Sequence, residues 1–267
     1  MADWPHILLT NDDGIDAPGL QVLREALAGK GRLTVCAPTA QRSASGHAVS
    51  VMKEIRLEER SENGKTWGWA LDGSPADCVK FALTKLDIPM PDLVLSGINP
   101  GANTGNNILY SGTVAAALEG AMFSLPAIAL SVAKLSSFHK EKVIFAGAVA
   151  FVPQLIDQVL EQGLPPYTAL NVNVPNIPPG EIEGVVVSKQ GRAWFIDVFD
   201  QQEKNEAGEI YMNVGTQFIN SKDGADADDR VVRDKKISIT PLHYDMTHYD
   251  FREKLRTWKF HTDMLNK

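Results

Sequence analysis

The sequence predicts an α/β fold with a mostly parallel sheet, and two observations carry that prediction. Short apolar runs, typical of buried strands, alternate along the chain with longer segments of helical spacing. The first such unit joins "HILLT" (6–10) to "RLTVCAP" (32–38) through a helix, which indicates a βαβ unit with a parallel strand pair. At 267 residues the chain has room for one large domain of this class, or for one domain plus an appendage.

The remaining elements of the main body follow from the same two signals. Further strands are predicted over residues 66–73, 91–99, 126–132, 168–175, 184–189 and 236–242. Helices are predicted over residues 17–27, 74–86, 113–123 and 138–161. The second helix also has a start signal, because Ser74-Pro75 places a capping hydroxyl before a proline that suits the first turn.

The pattern changes after residue 190. Residues 192–218 hold two apolar-aromatic segments around a charged, glycine-containing middle, which predicts a long β-hairpin over 190–220. The C-terminal segment "HYDMTHYDFREKLRTWKF" (243–260) is aromatic and charged, as expected of a tail that packs on another surface.

Composition narrows the function classes. A formal net charge of −7 argues against a nucleic-acid duplex or an acidic membrane surface as partner, because these require a concentrated basic footprint. Since we find neither a signal peptide nor an apolar stretch long enough to span a bilayer, we expect a cytoplasmic protein without a membrane partner. Cys36 and Cys78 form no CxxC pair, which excludes a zinc ribbon and predicts buried thiols.

Three polar loops follow predicted strands. They are "TNDDG" after the first strand, "QRSASGH" after the second, and "SGINPGANTGNN" after "DLVL". Ligands of open α/β sheets bind beyond the carboxyl ends of the strands. We therefore expect the three loops to converge on one crevice.

The first loop predicts a cation. Asp12 and Asp13 occupy the position where a dinucleotide site carries a glycine-rich phosphate loop, and two carboxylates would repel a phosphate. The conflict disappears if one divalent cation, Mg²⁺ or Mn²⁺, binds both carboxylates together with the oxygens of Ser43 and Asn99. The alternative is turn chemistry, which Asn-Asp-Asp-Gly also suits, with Ser43 and Asn99 as ordinary loop residues.

A second group of residues predicts a receptor for the phosphate. Ser111, Gly112 and Thr113 begin a helix of small residues, where free amides and the positive end of the helix dipole favour an anion. The alternative is a plain N-cap. Further candidate donors to the phosphate are Ser45, Gly46 and Asn103.

Other catalytic patterns are absent from the sequence. The histidines form no HxH or HxxxH pair, so a zinc site is disfavoured, and the lack of G-x-S-x-G weakens a serine-hydrolase interpretation. His47 lies near the predicted site and is either a proton-transfer group or a surface loop residue.

Five blocks of the sequence resemble the SurE family, the stationary-phase survival proteins that act as 5′/3′-nucleotidases. In order, they are "ILLTNDDGIDAPGL" (7–20), "APTAQRSASGHAVS" (37–50), "GSPADCVKFAL" (73–83), "DLVLSGINPGANTGNNILYSGTVAAALEGA" (92–121) and "ISITPLHYDMT" (237–247). The resemblance covers about residues 5 to 250. It implies a Rossmann-like three-layer αβα sandwich over residues 1–248, with a protruding β-hairpin at 190–220 and a C-terminal extension at 249–267.

The resemblance also implies an activity and a ligand set. It implies a metal-dependent phosphomonoesterase that hydrolyses nucleoside monophosphates, in some members also short polyphosphate, with Asp12, Asp13, Ser43 and Asn99 as metal ligands. It further implies a homodimer or homotetramer formed through the hairpin and an exchanged C-terminal segment. One departure lies in the site loop, where Ala44 stands in place of the family's usual glycine.

We therefore predict a nucleotidase that uses a metal-activated water, with Asp12 or Asp13 orienting that water. Two alternatives remain. A dehalogenase-like phosphatase needs an aspartate nucleophile and an acid two residues later, a spacing that Asp12 and Asp13 do not have. A non-catalytic, metal-dependent nucleotide-binding protein would use the same crevice without turnover.

Overall fold

The computed structural model describes residues 5–134, 142–204 and 208–260, and only the backbone of 195–204, 211 and 213–216. The strands are β1 His6–Thr10, β2 Arg32–Pro38, β3 Leu57–Glu62, β4 Lys65–Leu71, β5 Leu93–Asn99, β6 Ala127–Ala133, β7 Thr168–Pro175, β8 Val185–Val187, β9 Trp194–Lys204, β10 Ile210–Ile219 and β11 Ile237–His243. The helices are α1 Pro18–Ala26, α2 Pro75–Lys85, α3 Gly112–Met122, α4 Ala146–Gln162, α5 Asp228–Arg233 and α6 Tyr249–Leu255. Two 3₁₀ turns cover Gly105–Tyr110 and Pro179–Glu181.

Nine strands form one sheet in the order β3-β4-β2-β1-β5-β6-β7-β11-β8. The six strands from β4 to β7 in that order are parallel to one another. β3 pairs antiparallel with β4 at one edge, and β11 pairs antiparallel with β7 near the other. The structure therefore confirms the predicted α/β class with a mostly parallel sheet.

Alternation along the strands creates two apolar cores, one on each face of the sheet. In β1, Ile7 and Leu9 pack in the core that α1 and α4 cover, whereas Leu8 packs in the core that α2 and α3 cover. Helices on both faces make the three layers that the family resemblance implies. Buried parallel strands read as continuous apolar runs for this reason.

Helix α3 lies unusually close to the sheet because its buried face consists of small residues. A Cβ atom built on Gly120 would lie 2.7 Å from a methyl carbon of Val94 in β5. Ala116 and Ala117, which lie between Gly112 and Gly120 in the helix, are fully buried. The close approach of α3 to β5 therefore depends on the absence of larger side chains.

Helix α2 begins with the predicted cap. The Ser74 hydroxyl accepts from the Asp77 amide at 3.0 Å, and the Asp77 carboxylate accepts from the Ser74 amide at 2.9 Å. The Asp77 carboxylate also accepts from the amide of Ser50 at 2.9 Å. The cap therefore fixes the end of the long polar loop as well as the start of α2.

The hairpin is present as predicted. β9 and β10 form a separate two-stranded antiparallel sheet, with pairing that runs from Trp194 opposite Ile219 to Lys204 opposite Ile210. Within the described part of the chain, no helix has both the length and the apolar character needed to cross a bilayer.

Some predicted elements differ from the structure. The predicted helix over 138–161 is wrong in its start, since α4 begins at Ala146 and residues 142–145 are not helical; residues 138–141 lie outside the described residues. The Ile144 amide donates instead to the Asn176 side chain at 2.7 Å. β3, α5 and α6 were not predicted, because β3 is an exposed, charged edge strand and the two helices have only six and seven residues.

We expect buried His6 to make the stability of the protein depend on pH. Burial first, and then the charge of Arg32, lower the pKa of His6 from its ordinary value of 6.5, against the opposing effect of Asp92. The unfolded chain thus binds a proton that the folded chain does not, and stability declines as the pH falls through 6.5 toward the lowered folded value.

The comparison is between wild type and His6→Gln, with the free energy of unfolding measured by urea denaturation between about pH 7.5 and 5. Wild type should lose stability relative to His6→Gln as the pH falls. Parallel curves for the two proteins would contradict the assignment.

Candidate functional site

The three polar loops meet at the carboxyl ends of neighbouring strands, as expected. β1 lies between β2 and β5 in the sheet, and the chain builds one side of the sheet before it crosses to the other. The crevice at such a switch point is the usual ligand site of an open α/β sheet. Asp12 and Asp13 follow β1, Ser43 follows β2, and Asn99 ends β5.

Asp12 is held by the beginning of α3. Its side chain is buried, and its Oδ1 accepts from the Thr113 hydroxyl at 2.5 Å. Burial raises the pKa of Asp12, while hydrogen bonds from the Thr113 hydroxyl and from the amides of Thr113 and Gly112 oppose that rise. A Cβ atom built on Gly112 would lie 2.8 Å from the Asp12 Cβ, so glycine is what lets the helix start approach this carboxylate.

Asp13 lies beside Ser43. The Gln41 side-chain nitrogen donates to the Ser43 hydroxyl at 2.8 Å and lies 3.4 Å from the Asp13 Oδ1. Burial and the neighbouring charge of Asp12 raise the pKa of Asp13 to about 7. Two of the predicted ligands thus share one amide donor, although Gln41 was not among the predicted site residues.

Asn99 is oriented by its own loop. Its amide nitrogen donates to the Gly101 carbonyl at 2.7 Å, which fixes the side-chain plane and leaves the carbonyl oxygen directed away from that bond. Thr10 and Ser96 are paired across β1 and β5, so Asn99 lies at the same sheet edge as the two aspartates.

The residues at this edge fit a divalent cation. In the described residues, neither Asp12 nor Asp13 has a lysine or arginine partner; burial acts against the ionisation of both carboxyl groups, and the charge of Asp12 also acts against that of Asp13. The same part of the chain groups no three His, Cys, Asp or Glu side chains around a possible metal position. A cation between the two aspartates would therefore need other ligands from neutral oxygens, such as those of Ser43 and Asn99, and from water.

The second loop is fastened to both sides of the site. The Arg42 amide donates to the Asp12 carbonyl at 2.7 Å, and the Gly46 amide donates to the Tyr110 carbonyl at 3.0 Å. Gly46, predicted to bind phosphate, thus has its amide engaged within the protein. The hydroxyl oxygen of Ser45 is buried and has no hydrogen-bond partner among the described residues.

Asn103 lies in a buried polar network. Its side chain donates to the Ser131 hydroxyl at 2.8 Å, its amide donates to the Asn173 side chain at 2.8 Å, and its carbonyl accepts from Asn171 and Asn173. This network ties the third loop to β6 and β7. The contacts of Asn103 are therefore those of a residue that fixes the loop.

Ser111 is the N-cap of α3, since its hydroxyl accepts from the Val114 amide at 3.1 Å. The three residues predicted to receive phosphate thus make protein contacts: Ser111 caps the helix, and Gly112 and Thr113 contact Asp12. The positive end of α3 is directed at the acidic pair.

His47 makes a contact that the sequence did not predict. Its Nε2 lies 2.8 Å from the carboxylate of Glu119, which is buried and also pairs with Lys80 at 3.5 Å. Glu119 is the one acidic residue in the apolar sequence of α3. A single carboxylate in such a helix is a sequence signal for a buried ion pair.

A cavity of about 450 Å³ adjoins the start of α3. Its walls include apolar side chains and aromatic rings together with polar groups, among them His47, Ile108, Leu109, Ser111 and Tyr244. The rings of His243 and Tyr244 are stacked, with centroids 5.3 Å apart and an interplanar angle of 12°. Ser111 therefore belongs to the cavity wall while the next two residues contact Asp12.

Comparisons with known proteins agree on one family. The chain matches the family described as "Survival protein SurE" over residues 7–196. It is 43% identical over 256 residues to the "5'-nucleotidase SurE" of Carboxydothermus hydrogenoformans, covering 95% of this chain and 96% of that protein. It is 41% identical over 253 residues to the protein of that name from Syntrophobacter fumaroxidans, covering 95% and 99%. The crystal structure of the SurE protein from Aquifex aeolicus superimposes with a TM-score of 0.80 at 34% identity, covering 94% of this chain and 98% of that chain.

We expect Ala44→Gly to stabilise the protein. Ala44 has a φ of 56°, in the left-handed region that is costly for a residue with a Cβ atom. Glycine at this position should raise the free energy of unfolding by roughly 0.5–1 kcal/mol, as measured by urea denaturation.

Ala48→Gly is the matched control, because Ala48 lies in the same loop but outside the left-handed region. That change should lower the free energy of unfolding by about 0.4–1 kcal/mol through the greater entropy of the unfolded chain. A loss of stability in Ala44→Gly would show that the loop is not strained at this residue.

Proposed function

Because the chain belongs to the SurE family, we propose that it is a metal-dependent nucleotidase that hydrolyses nucleoside 5′-monophosphates to nucleoside and phosphate. The relatives that match nearly the whole chain are named 5'-nucleotidases, which supports nucleotidase activity here. Activity on 3′-monophosphates and on short polyphosphate forms the wider part of the proposal.

The observation that carries this proposal is the pair of buried Asp12 and half-buried Asp13 beside the positive end of α3. Two carboxylates in this position are poorly suited to bind a phosphate by themselves, and well suited to bind it through a cation. Ser43 and Asn99 add neutral oxygens at the same edge. The proposed cofactor is therefore one Mg²⁺ or Mn²⁺ ion per subunit, held by these four residues.

When bound, such a cation supplies Lewis-acid chemistry, since it polarises a phosphoryl oxygen and makes a water molecule more acidic. The chain's own residues position the reacting groups. Thr113 and the amides of Gly112 and Thr113 hold Asp12 in one orientation, and Gln41 holds Ser43 beside Asp13. In this proposal one of the two aspartates accepts a hydrogen bond from the attacking water.

Two features support binding of the phosphoryl group at the same place. The N-terminal end of α3 provides a positive field that favours added negative charge near Asp12. The buried Ser45 hydroxyl is a donor without a partner among the described residues, in the loop that also carries Ser43. We propose that Ser45 donates to a phosphoryl oxygen.

The cavity beside Ser111 offers space for the nucleoside. Its volume of about 450 Å³ lies within the usual range for small-molecule sites. Apolar walls at Ile108 and Leu109 and the aromatic rings of His243 and Tyr244 suit a planar base, and His47 supplies a polar edge. A nucleotide placed there would direct its phosphate past Ser111 toward Asp12.

We also propose that the protein is a homodimer or homotetramer. The C-terminal segment exposes Tyr249, Phe251, Trp258 and Phe260, with Phe260 71% exposed, and large exposed aromatic groups mark interaction surfaces. The exchanged segment in this proposal begins at residue 249.

The expected mass in sedimentation velocity is two or four times the 29.1 kDa of the chain. A double variant, Trp258→Glu and Phe260→Glu, should shift the protein toward monomer because charge is costly to bury in an apolar contact. The same changes at Met90 and Val187, which are exposed and lie outside the tail, are the control. A wild-type mass of 29.1 kDa would contradict this part of the proposal.

The activity is tested by phosphate release from a panel of nucleoside 5′- and 3′-monophosphates. We expect release that EDTA stops and that added Mg²⁺ or Mn²⁺ restores. Asp12→Asn should reduce turnover at saturating metal by at least about 10²-fold while the protein stays folded, since one of two charged ligands is lost.

Asp16→Asn is the control, because Asp16 is an exposed carboxylate in the same loop. It should keep wild-type activity. Nucleotide binding without phosphate release under any metal would instead establish a binding protein, and a trapped phospho-aspartate would establish dehalogenase-like chemistry.

A further inference from the structure

Asp228, at the start of α5, is a fully buried carboxylate with three amide donors. Its Oδ1 accepts from the amides of Gly191 at 2.9 Å and Asp229 at 2.8 Å, and its Oδ2 accepts from the amide of Gly105 at 2.9 Å. One carboxylate thus joins three segments that are distant in the sequence. These are the first 3₁₀ turn, the residues that lead into β9, and α5.

Gly105 is also held on its other sides. The Gln190 side chain donates to the Gly105 carbonyl at 3.0 Å, and the Asn106 amide donates to the Ala193 carbonyl at 2.8 Å. Gly105 has a φ of +58°, and a Cβ atom there would lie 2.3 Å from the Ala193 carbonyl oxygen. The beginning of the 3₁₀ turn is therefore packed directly on the base of the hairpin.

The other end of the same 3₁₀ turn reaches the candidate site. The Tyr110 carbonyl accepts from the Gly46 amide, in the loop that carries Ser43, and the Ser111 amide donates to the Ile108 carbonyl at 3.3 Å. Gly112 then lies against Asp12. The turn Gly105–Tyr110 thus connects the Asp228 carboxylate to the Ser43 loop, and through Ser111 and Gly112 it also connects this carboxylate to Asp12.

We propose that Asp228 is a positioning residue for the candidate site, acting through the 3₁₀ turn Gly105–Tyr110. This inference rests on the proposed function, because that function defines the site. Its primary test is nevertheless cation binding, which can be measured without turnover. Asp228 contacts neither the acidic pair nor the cavity. It holds the first residue of the 3₁₀ turn, and this turn determines where Gly112, Thr113 and Gly46 lie.

The geometry shows why a carboxylate is required and which variant tests it. Asparagine has nearly the same shape but only one acceptor oxygen. If that oxygen keeps the two bonds to Gly191 and Asp229, the amide nitrogen of the asparagine faces the Gly105 N–H, and two donors then oppose each other. Asp228→Asn therefore breaks the bond to Gly105 while it spares most of the local packing.

Asp229→Asn is the matched control. Asp229 is the next residue, is also buried, and accepts from the amide and hydroxyl of Ser221 and from Arg233. Among the described residues its carboxylate accepts no hydrogen bond from Gly105 or Gly191, although its Oδ1 packs against Gly191, where a Cβ atom would lie 2.6 Å from it. The control thus removes an equally buried charge from the same helix and leaves the link to the 3₁₀ turn intact.

The experiment measures Mn²⁺ binding to the full chain by isothermal titration calorimetry, together with kcat and KM for nucleoside monophosphates, at a temperature where both variants are folded. Outer positioning groups of metal sites typically contribute 10–100-fold to affinity or activity. Asp228→Asn should weaken Mn²⁺ binding and lower kcat by about that factor, because the segment that holds Asp12 is displaced. Asp229→Asn should lose stability and keep the wild-type Mn²⁺ affinity.

Amide hydrogen exchange adds a readout of the link itself. In Asp228→Asn the Gly105 amide should exchange faster, and in Asp229→Asn it should not. If Asp228→Asn does not fold, Gln190→Leu replaces it, because this change removes the side-chain bond to the Gly105 carbonyl. Gln190 also lines the cavity proposed for the nucleoside, so only Mn²⁺ binding is compared for this variant. That variant should weaken Mn²⁺ binding in the same direction.

Equal Mn²⁺ affinities in the Asp228 and Asp229 variants, or an unchanged affinity in Gln190→Leu, would overturn the proposal. Failure of the wild type to release phosphate would overturn the proposed function instead. The Mn²⁺ titrations would still decide the role of Asp228 in that case.

Discussion

Two adjacent carboxylates at the end of a buried strand are costly, and the surrounding structure reduces that cost. Asp12 lies where water is excluded, so each hydrogen bond to it has more weight than on the surface. The start of α3 provides these bonds through one hydroxyl and two amides. Among the described residues Asp13 accepts only from Gln41, and burial together with the charge of Asp12 raises its pKa to about 7. The helix start thus satisfies one carboxylate, and the other is the one that the proposed cation would neutralise.

The sheet face beneath the site changes character along its strands. On the side of α2 and α3, the amino-terminal half of the strands carries Leu8, Val94 and Ala127, which pack in an apolar core. Toward the carboxyl ends, the same face carries the buried Ser131 and Asn173, which hold Asn103. The apolar half stabilises the sheet, and the polar half anchors a loop that has little regular structure.

Much of this arrangement follows from the sequence because its signals are local. Buried parallel strands are continuous apolar runs, and Ser74 with Asp77 three residues on is a capping signal that any reader of the chain can find. The acidic pair could be assigned to a sheet edge for the same reason. β3 could not, since "LEERSE" is charged and its strand character comes only from pairing with β4. The burial of Asp228 could not be predicted either, because it results from tertiary packing. In the sequence Asp228 is one of several aspartates in a charged segment.

The small residues of α3 have a consequence for the site at the start of that helix. A helix rests on a sheet at a distance set by the largest side chain between them, and here Gly120 and Gly112 keep that distance short. Gly120 lies about 12 Å along the axis from Gly112, given the rise of an α-helix. A methyl group at Gly120 would push α3 away from β5 and so move the hydrogen-bond donors at its start away from Asp12. The placement of the donors to Asp12 therefore depends on a glycine two helical turns away in the apolar core.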